Sequence, residues 1–253
     1  MCCITPRVER VSNTNLFARL SGKGTQFLVY QMTYEAKNPV AMILPIPVAL
    51  PAHENAVRFL NLKPYPTFFR DCYAAFPAPM TFGRGNSAKD DEHISKAAEP
   101  IRVETVGDFE ASFVPSQRDF HRIDSRFRIS KAAFQKLPQY RDYGFVVFQF
   151  KETHGTPHPM AFEFPTRDTN HLYFPTVHIH DGLVHPREHF DHMLYYQGGG
   201  VEGMRSTGAA HKHIAIEKTL GIVEGKTVLQ RIPLDGFLPN QDWWLTPARR
   251  RAG

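Results

Sequence analysis

The sequence predicts an α+β chain, mainly antiparallel β-sheet with a few helices, and three observations carry that expectation. Segments of alternating or continuous apolar residues recur at 27–34 (FLVYQMTY), 144–150 (GFVVFQF), 160–164 (MAFEF) and 171–180 (HLYFPTVHIH). Turn-forming glycine, asparagine and proline separate them. Helical three- and four-residue spacing is confined to short stretches.

Taken in order, Leu28, Tyr30, Met32 and Tyr34 share one side of the first segment, AKNP (36–39) supplies a turn, and VAMIL (40–44) is apolar on both faces. Together they read as a strand hairpin. Pro45 and Pro47 then force an extended exit. In FFRDCYAAF, Phe69, Cys72, Tyr73 and Phe76 mark an amphipathic helix at 67–76. Residues 78–98 lose periodicity and gather Gly83, Gly85, Asn86, Ser87 and the charge run KDDE, which predicts a long loop, either a lid or an insertion. IRVETV and FEASFV flank Gly107-Asp108, a hairpin connection with positive φ at its first position. Helices are expected at 131–137 and at 186–197, the latter with Pro186 in its first turn and Phe190, Met193, Leu194 and Gln197 as its buried stripe.

VYQMTYEAKNPVAMILP (29–45) and VFQFKETHGTPHPMAFEFP (147–165) share V-aromatic-Q-hydrophobic followed by P-x-A-x-x-x-P. A single domain over 1–253 with two similar halves, 1–125 and 126–253, about a pseudo-two-fold axis would explain the echo. Chance likeness of two β-hairpins is the preferred account, because strand and turn compositions form a small menu.

With 253 residues, 42% hydrophobic and 22% charged, the chain can bury a full core without disulfides or structural metal. The apolar stretch Val40–Leu50 is broken by two prolines, and MCCITPRVERV lacks an apolar run behind a basic start. A cytoplasmic protein without membrane association is therefore expected. The three cysteines, Cys2, Cys3 and Cys72, suit a reducing compartment. Of the formal charge of +5, Arg249, Arg250 and Arg251 in the basic tail 247–253 supply three, so no nucleic-acid partner is expected. A small-molecule substrate is left unidentified by the sequence, as is the oligomeric state.

The histidines are the strongest chemical signal. Ten of the 13 lie between His154 and His213, where even spacing would put about three. His178 and His180 share one face of a strand, close enough for both imidazoles to reach one cation. Asp181-Gly182 turns the chain so that His185 can fold back, and Asp181 can ligate or fix an imidazole tautomer. On a helical wheel His189 lies at the edge of the buried stripe and ranks above His192; on a strand the order reverses. His211 and His213 repeat the pair after GGG (198–200). The expected metal set is therefore His178, His180, Asp181, His185, His189, His211 and His213, holding Zn, Fe, Mn or Ni, with hydrolysis by an activated water as the natural chemistry and no organic cofactor. Histidines hydrogen-bonded to backbone and to one another are one alternative. A non-catalytic interaction domain with a pH-sensitive histidine surface is another.

The start MC followed by SNTNLFARL (12–20) resembles N-terminal-nucleophile hydrolases of the choloylglycine-hydrolase type. The resemblance, over about twenty residues, implies Cys2 as nucleophile with its own α-amine as base, Arg19 as its assistant, a four-layer αββα fold and hydrolysis of a linear amide. The whole chain also resembles a bacterial family with an early cysteine and an LPIP-like stretch, here 44–47, which implies no activity.

Overall fold

Residue alternation sets the long strands. In the computed structural model, which describes residues 2–76, 101–128, 131–198 and 207–246, β1 (Cys2–Thr5) is followed by β2 (Arg10–Leu20) and β3 (Thr25–Glu35). Leu16, Ala18, Leu28, Tyr30 and Met32 turn to one face of β2 and β3, and Phe17, Phe27 and Val29 to the other. Both faces are buried. Next come β4 (Ala41–Ile46), β5 (Arg58–Asn61), α1 (Phe68–Ala74), β6 (Val103–Val106) and β7 (Phe109–Val114). The second half of the chain adds α2 (Lys131–Gln135), β8 (Gly144–Gln149), β9 (His154–Gly155), β10 (Met160–Pro165), β11 (Leu172–Phe174), β12 (His178–Ile179) and β13 (Arg187–Gln197). It ends with β14 (Thr207–Gly208), α3 (Ala210–His213), β15 (Leu229–Pro239) and β16 (Trp243–Leu245).

The strands form a six-stranded sheet, β12-β1-β4-β8-β7-β6, and an eight-stranded sheet, β14-β15-β13-β2-β3-β10-β5 with β9 also on β3. A small β11-β16 pair stands apart. Pairing is antiparallel except for β1 with β12 and β2 with β13. The main core lies between the sheets, where Met42, Leu44, Phe113, Val146 and Phe148 meet Leu16, Leu28, Tyr30, Phe162 and Leu194. A second apolar layer covers the outer face of the six-stranded sheet, through Phe120, Phe127, Leu137 and Tyr140 over Ile43, Phe145 and Val147. A third, from Phe68, Phe69, Cys72, Phe76 and Ile222, covers part of the other sheet over Phe17, Val29 and Tyr195. The architecture is α+β and mainly β, as the sequence predicts. Among the described residues no helix is long and apolar enough to cross a membrane.

Two expectations change. The hairpin of 27–34 with 40–44 is not formed: β3 and β4 lie in different sheets, and AKNP carries the chain from one to the other. All six residues of β4 are buried, as befits a central strand flanked by β1 and β8. Pro45 lies past the last described pair of the β1 register, Cys3↔Ile43, and pairs with Phe145 of β8. The echoed segments 29–45 and 147–165 are both arches between sheets, and they pair with each other, β3 with β10 and β4 with β8. Each sheet takes strands from both 1–125 and 126–253.

The helix expected at 186–197 is the strand β13. Its sequence satisfies both periods, but Phe190, His192, Leu194 and Tyr196 alternate into the core while Tyr195 packs outward on Phe69 and Phe76. Pairing with β15 on one side and β2 on the other supplies its backbone partners, which outweighs a helical stripe. The helix near 67–76 forms as α1, and that near 131–137 forms as the shorter α2. The Gly107-Asp108 turn joins β6 to β7 with Gly107 at φ 63. The segment 78–98 and the tail 247–253 lie outside the described residues.

Candidate functional site

The histidine signal resolves into one buried cluster and several unrelated side chains. β12 is the edge strand of the six-stranded sheet, and its backbone is held by a side chain. Asn240 Oδ1 accepts from His178 N at 2.7 Å, and its Nδ2 donates to the carbonyls of His178 and His185 at 3.0 and 2.9 Å. Asp242 Oδ1 accepts from the N–H groups of Thr176 and Val177, and its Oδ2 from the hydroxyls of Tyr140 and Tyr173 at 2.6 and 2.8 Å. Neither Asn240 nor Asp242 stands out in the sequence. Both lie in a polar stretch after β15 that reads as an ordinary turn.

This anchoring aims His178 inward, where its Nε2 lies 2.9 Å from Nε2 of His192 on β13. The contact crosses from one sheet to the other. One face of the His178 ring stacks on Phe190, centroids 4.4 Å apart, and it also stacks on His180 at 4.9 Å with 24° between planes. Asp191 Oδ1 lies 3.5 Å from His192 Nδ1, while its Oδ2 accepts from Asn13 N at 2.6 Å. Asp191 stands near His192 Nδ1 without a hydrogen bond of good geometry, so the Nε2–Nε2 contact, which needs one ring as donor and the other as acceptor, is the cluster's one hydrogen bond between rings among the described residues.

The environment disfavours charge on all three rings. Burial, with His192 and His180 nearby, pushes His178 down to about 2, and burial together with His192 takes His180 to about 4. Burial lowers His192 as well, against the opposing pull of Asp191. The Nε2 of His180 is buried without a hydrogen-bond partner among the described residues. The cluster is therefore neutral near pH 7; His178 and His192 are buried and His180 is partly exposed at its edge.

Among the described residues the expected metal set does not come together. His178 and His180 do share a face, but as stacked rings. Imidazole lone pairs lie in the ring plane, so near-parallel rings hold them side by side and do not aim them at one ion ~2 Å away. Asp181 pairs with His185 instead, Oδ2 to Nε2 at 2.9 Å, and that hydrogen bond raises the His185 pKa. His189 is exposed on the opposite face of β13 from His192, against Phe237. The strand therefore reverses the helical ranking, and His192 is the residue in the cluster. His213 is exposed at the end of α3, and the side chain of His211 lies outside the described residues. Among the described residues no group of three or more His, Cys, Asp or Glu side chains is arranged to hold a metal ion.

Arg19 and Cys2 lie in different sheets. The backbone of Cys2 pairs with His178, and its side chain lies outside the described residues. Arg19 is 5% exposed and fully engaged: Nε donates to Ile222 O and Nη2 to Gly221 O, both at 2.6 Å, and Nη1 to Glu224 at 2.7 Å. Burial lowers its pKa and Glu224 opposes that shift. It clamps the 219–227 segment onto the eight-stranded sheet.

The sheet order and the placement of the cluster invite comparison with known folds. The fold is similar to that of baculovirus P35. The crystal structure of baculovirus P35 matches 98% of this chain and 100% of its own length at 15% identity and a TM-score of 0.50. P35 in the caspase-8/P35 complex matches 94% of this chain and 97% of its own, at 16% identity and 0.50. A mutated P35 after caspase cleavage matches 96% and 100%, at 14% identity and 0.50. The likeness is one of fold, and no family model matches the sequence.

Proposed function

We propose that this chain is a non-catalytic interaction domain whose partner is a caspase-type cysteine protease. The observation that carries the reading is the likeness to P35 over nearly the whole of both chains, P35 having been seen both in a complex with caspase-8 and after caspase cleavage. Two features of this chain support it. His178 and His192 are spent on each other in the interior, and Arg19 on two backbone carbonyls and Glu224, so none of these three offers a free group to a substrate. The sequence also supplies, at 78–98, a long aperiodic segment carrying Asp90 and Asp91, the stretch we propose meets the protease.

The test is incubation with an active caspase, followed by size-exclusion chromatography and intact-mass measurement, with P35 as a positive control. Expected is a stable complex together with one cut that maps to 78–98. If P35 binds and this chain neither forms a complex nor slows turnover of a peptide substrate at micromolar concentration, the reading is wrong.

A further inference from the structure

The turn between β10 and β11 is held by its own side chains. Thr166 Oγ1 accepts from Asp168 N and donates to Asp168 O, and Asp168 Oδ1 accepts from the N–H groups of Asn170 and His171 at 2.9 and 3.0 Å. The other carboxylate oxygen, Oδ2, lies 2.7 Å from His171 Nδ1. A carboxylate only accepts, so Nδ1 carries the proton, and Nε2 of the neutral ring is an acceptor on a side chain that is 40% exposed.

Two neighbouring groups are held just as firmly. Arg167 rests 4.4 Å from the centre of the Tyr143 ring, and its Nη1 donates to Asp142 O at 3.2 Å. On β16 the pleat sends Trp243 and Leu245 toward the main core and Trp244 to the other side. Trp244 stands opposite Tyr173 in the β11 register, packs on that buried ring at 4.7 Å, and is still 39% exposed. Arg167, Asp168, Thr169, Asn170, His171 and Trp244 together line an open cleft of about 410 Å³, a volume suited to a small molecule. Because Arg167, His171 and Trp244 each have a contact that orients them beforehand, a ligand has little left to order.

The lining selects first by charge. Arg167 and Asp168 carry opposite charges at adjacent positions, so an anion meets the carboxylate and a cation meets the guanidinium, while a neutral ligand meets neither penalty. It selects next by hydrogen bonding. Arg167 only donates, the neutral His171 Nε2 accepts, and the exposed Thr169 and Asn170 do both, a mixture that matches ligand groups which themselves donate and accept. Hydroxyls are such groups. The exposed indole adds a flat apolar platform for a ring that presents a face of C–H bonds.

We infer that this cleft binds a neutral pyranose sugar, its C–H face on Trp244 and its hydroxyls on Arg167, Thr169, Asn170 and His171. The site goes beyond the proposed protease partner and does not depend on it.

The experiment is a titration of the intact chain with the methyl glycosides of glucose, galactose, mannose and N-acetylglucosamine, followed by the Trp244 indole N–H and His171 imidazole resonances. Expected is saturable movement of both signals with at least one glycoside, at a dissociation constant of roughly 1–10 mM, as befits a small ligand in an open cleft. Trp244→Ala should weaken that binding at least tenfold. Asn170→Ala, an exposed substitution that leaves the backbone bonds of the turn in place, should weaken it about threefold or more, and serves where Trp244→Ala fails to fold. Absence of saturable movement with all four glycosides, or binding unchanged in the variants, would overturn the assignment. So would movement of His171 by inorganic phosphate alone, which marks an anion site.

Discussion

Replacing Arg19 by Met separates a structural clamp from a reactive group. The substitution keeps most of the buried stem and removes the fork that satisfies Ile222 O, Gly221 O and Glu224. Hydrogen bonds from a charged donor contribute ~1.5–3 kcal/mol each. The Glu224 bond is discounted, since that carboxylate is 47% exposed and solvent screens it. The two carbonyl bonds remain, along with the guanidinium resting 4.8 Å from the centre of the Phe27 ring. Allowing for the apolar contacts that Met restores, the expected loss is about 3–5 kcal/mol, a large fraction of the ~5–15 kcal/mol of a typical domain. With a urea slope near 3 kcal/mol per molar, the unfolding midpoint should fall by about 1–1.7 M. Arg19→Lys, which cannot span two carbonyls and a carboxylate at once, should recover less than half of that loss. Protection of amides in 219–227 should drop first. A midpoint shift under 0.3 M, roughly 1 kcal/mol on the same slope, would refute the clamp and return Arg19 to the list of groups free for chemistry.

Two further substitutions probe the anchoring around the site. Asp242→Ala orphans the hydroxyls of Tyr140 and Tyr173, both fully buried, and frees the 176–177 backbone, so about 3–5 kcal/mol should be lost in urea unfolding, with Asp242→Asn costing clearly less. Gly107→Ala places a Cβ at φ 63 against the His158 imidazole, and should cost about 2–3 kcal/mol; in the double variant with His158→Ala the two costs should sum to more than the measured loss, because removing the ring removes the clash.

What the sequence disclosed follows from which signals are local. Strand alternation, the α1 stripe and the Gly107-Asp108 turn depend on residues within a few positions of one another, and all three are found. The arch at 36–39 is a different matter. A turn composition says that the chain reverses or departs, and only the long-range pairing of β4 with β8 decides which. REHFDHMLYYQ carries both helical and strand periods, so its state is fixed by β15 and β2, more than thirty and more than a hundred and seventy residues away in the chain.

The histidine excess was visible in composition, yet its meaning lay in two things composition does not hold. One is the β13 register, which turns His192 inward and His189 outward and so exchanges their rank. The other is Asn240, whose side chain pairs with the backbone of His178 from 62 residues away and sets the angle at which that ring meets its partner. An HxH pair on a strand promises a metal only if the rings diverge from the stack. Here Phe190 lies against His178 at 4.4 Å and His180 stacks on it as well, an apolar and aromatic packing that holds the planes nearly parallel. The same residues that would have made a cation site thus make a neutral bond between sheets, with the His178 ring stacked on Phe190.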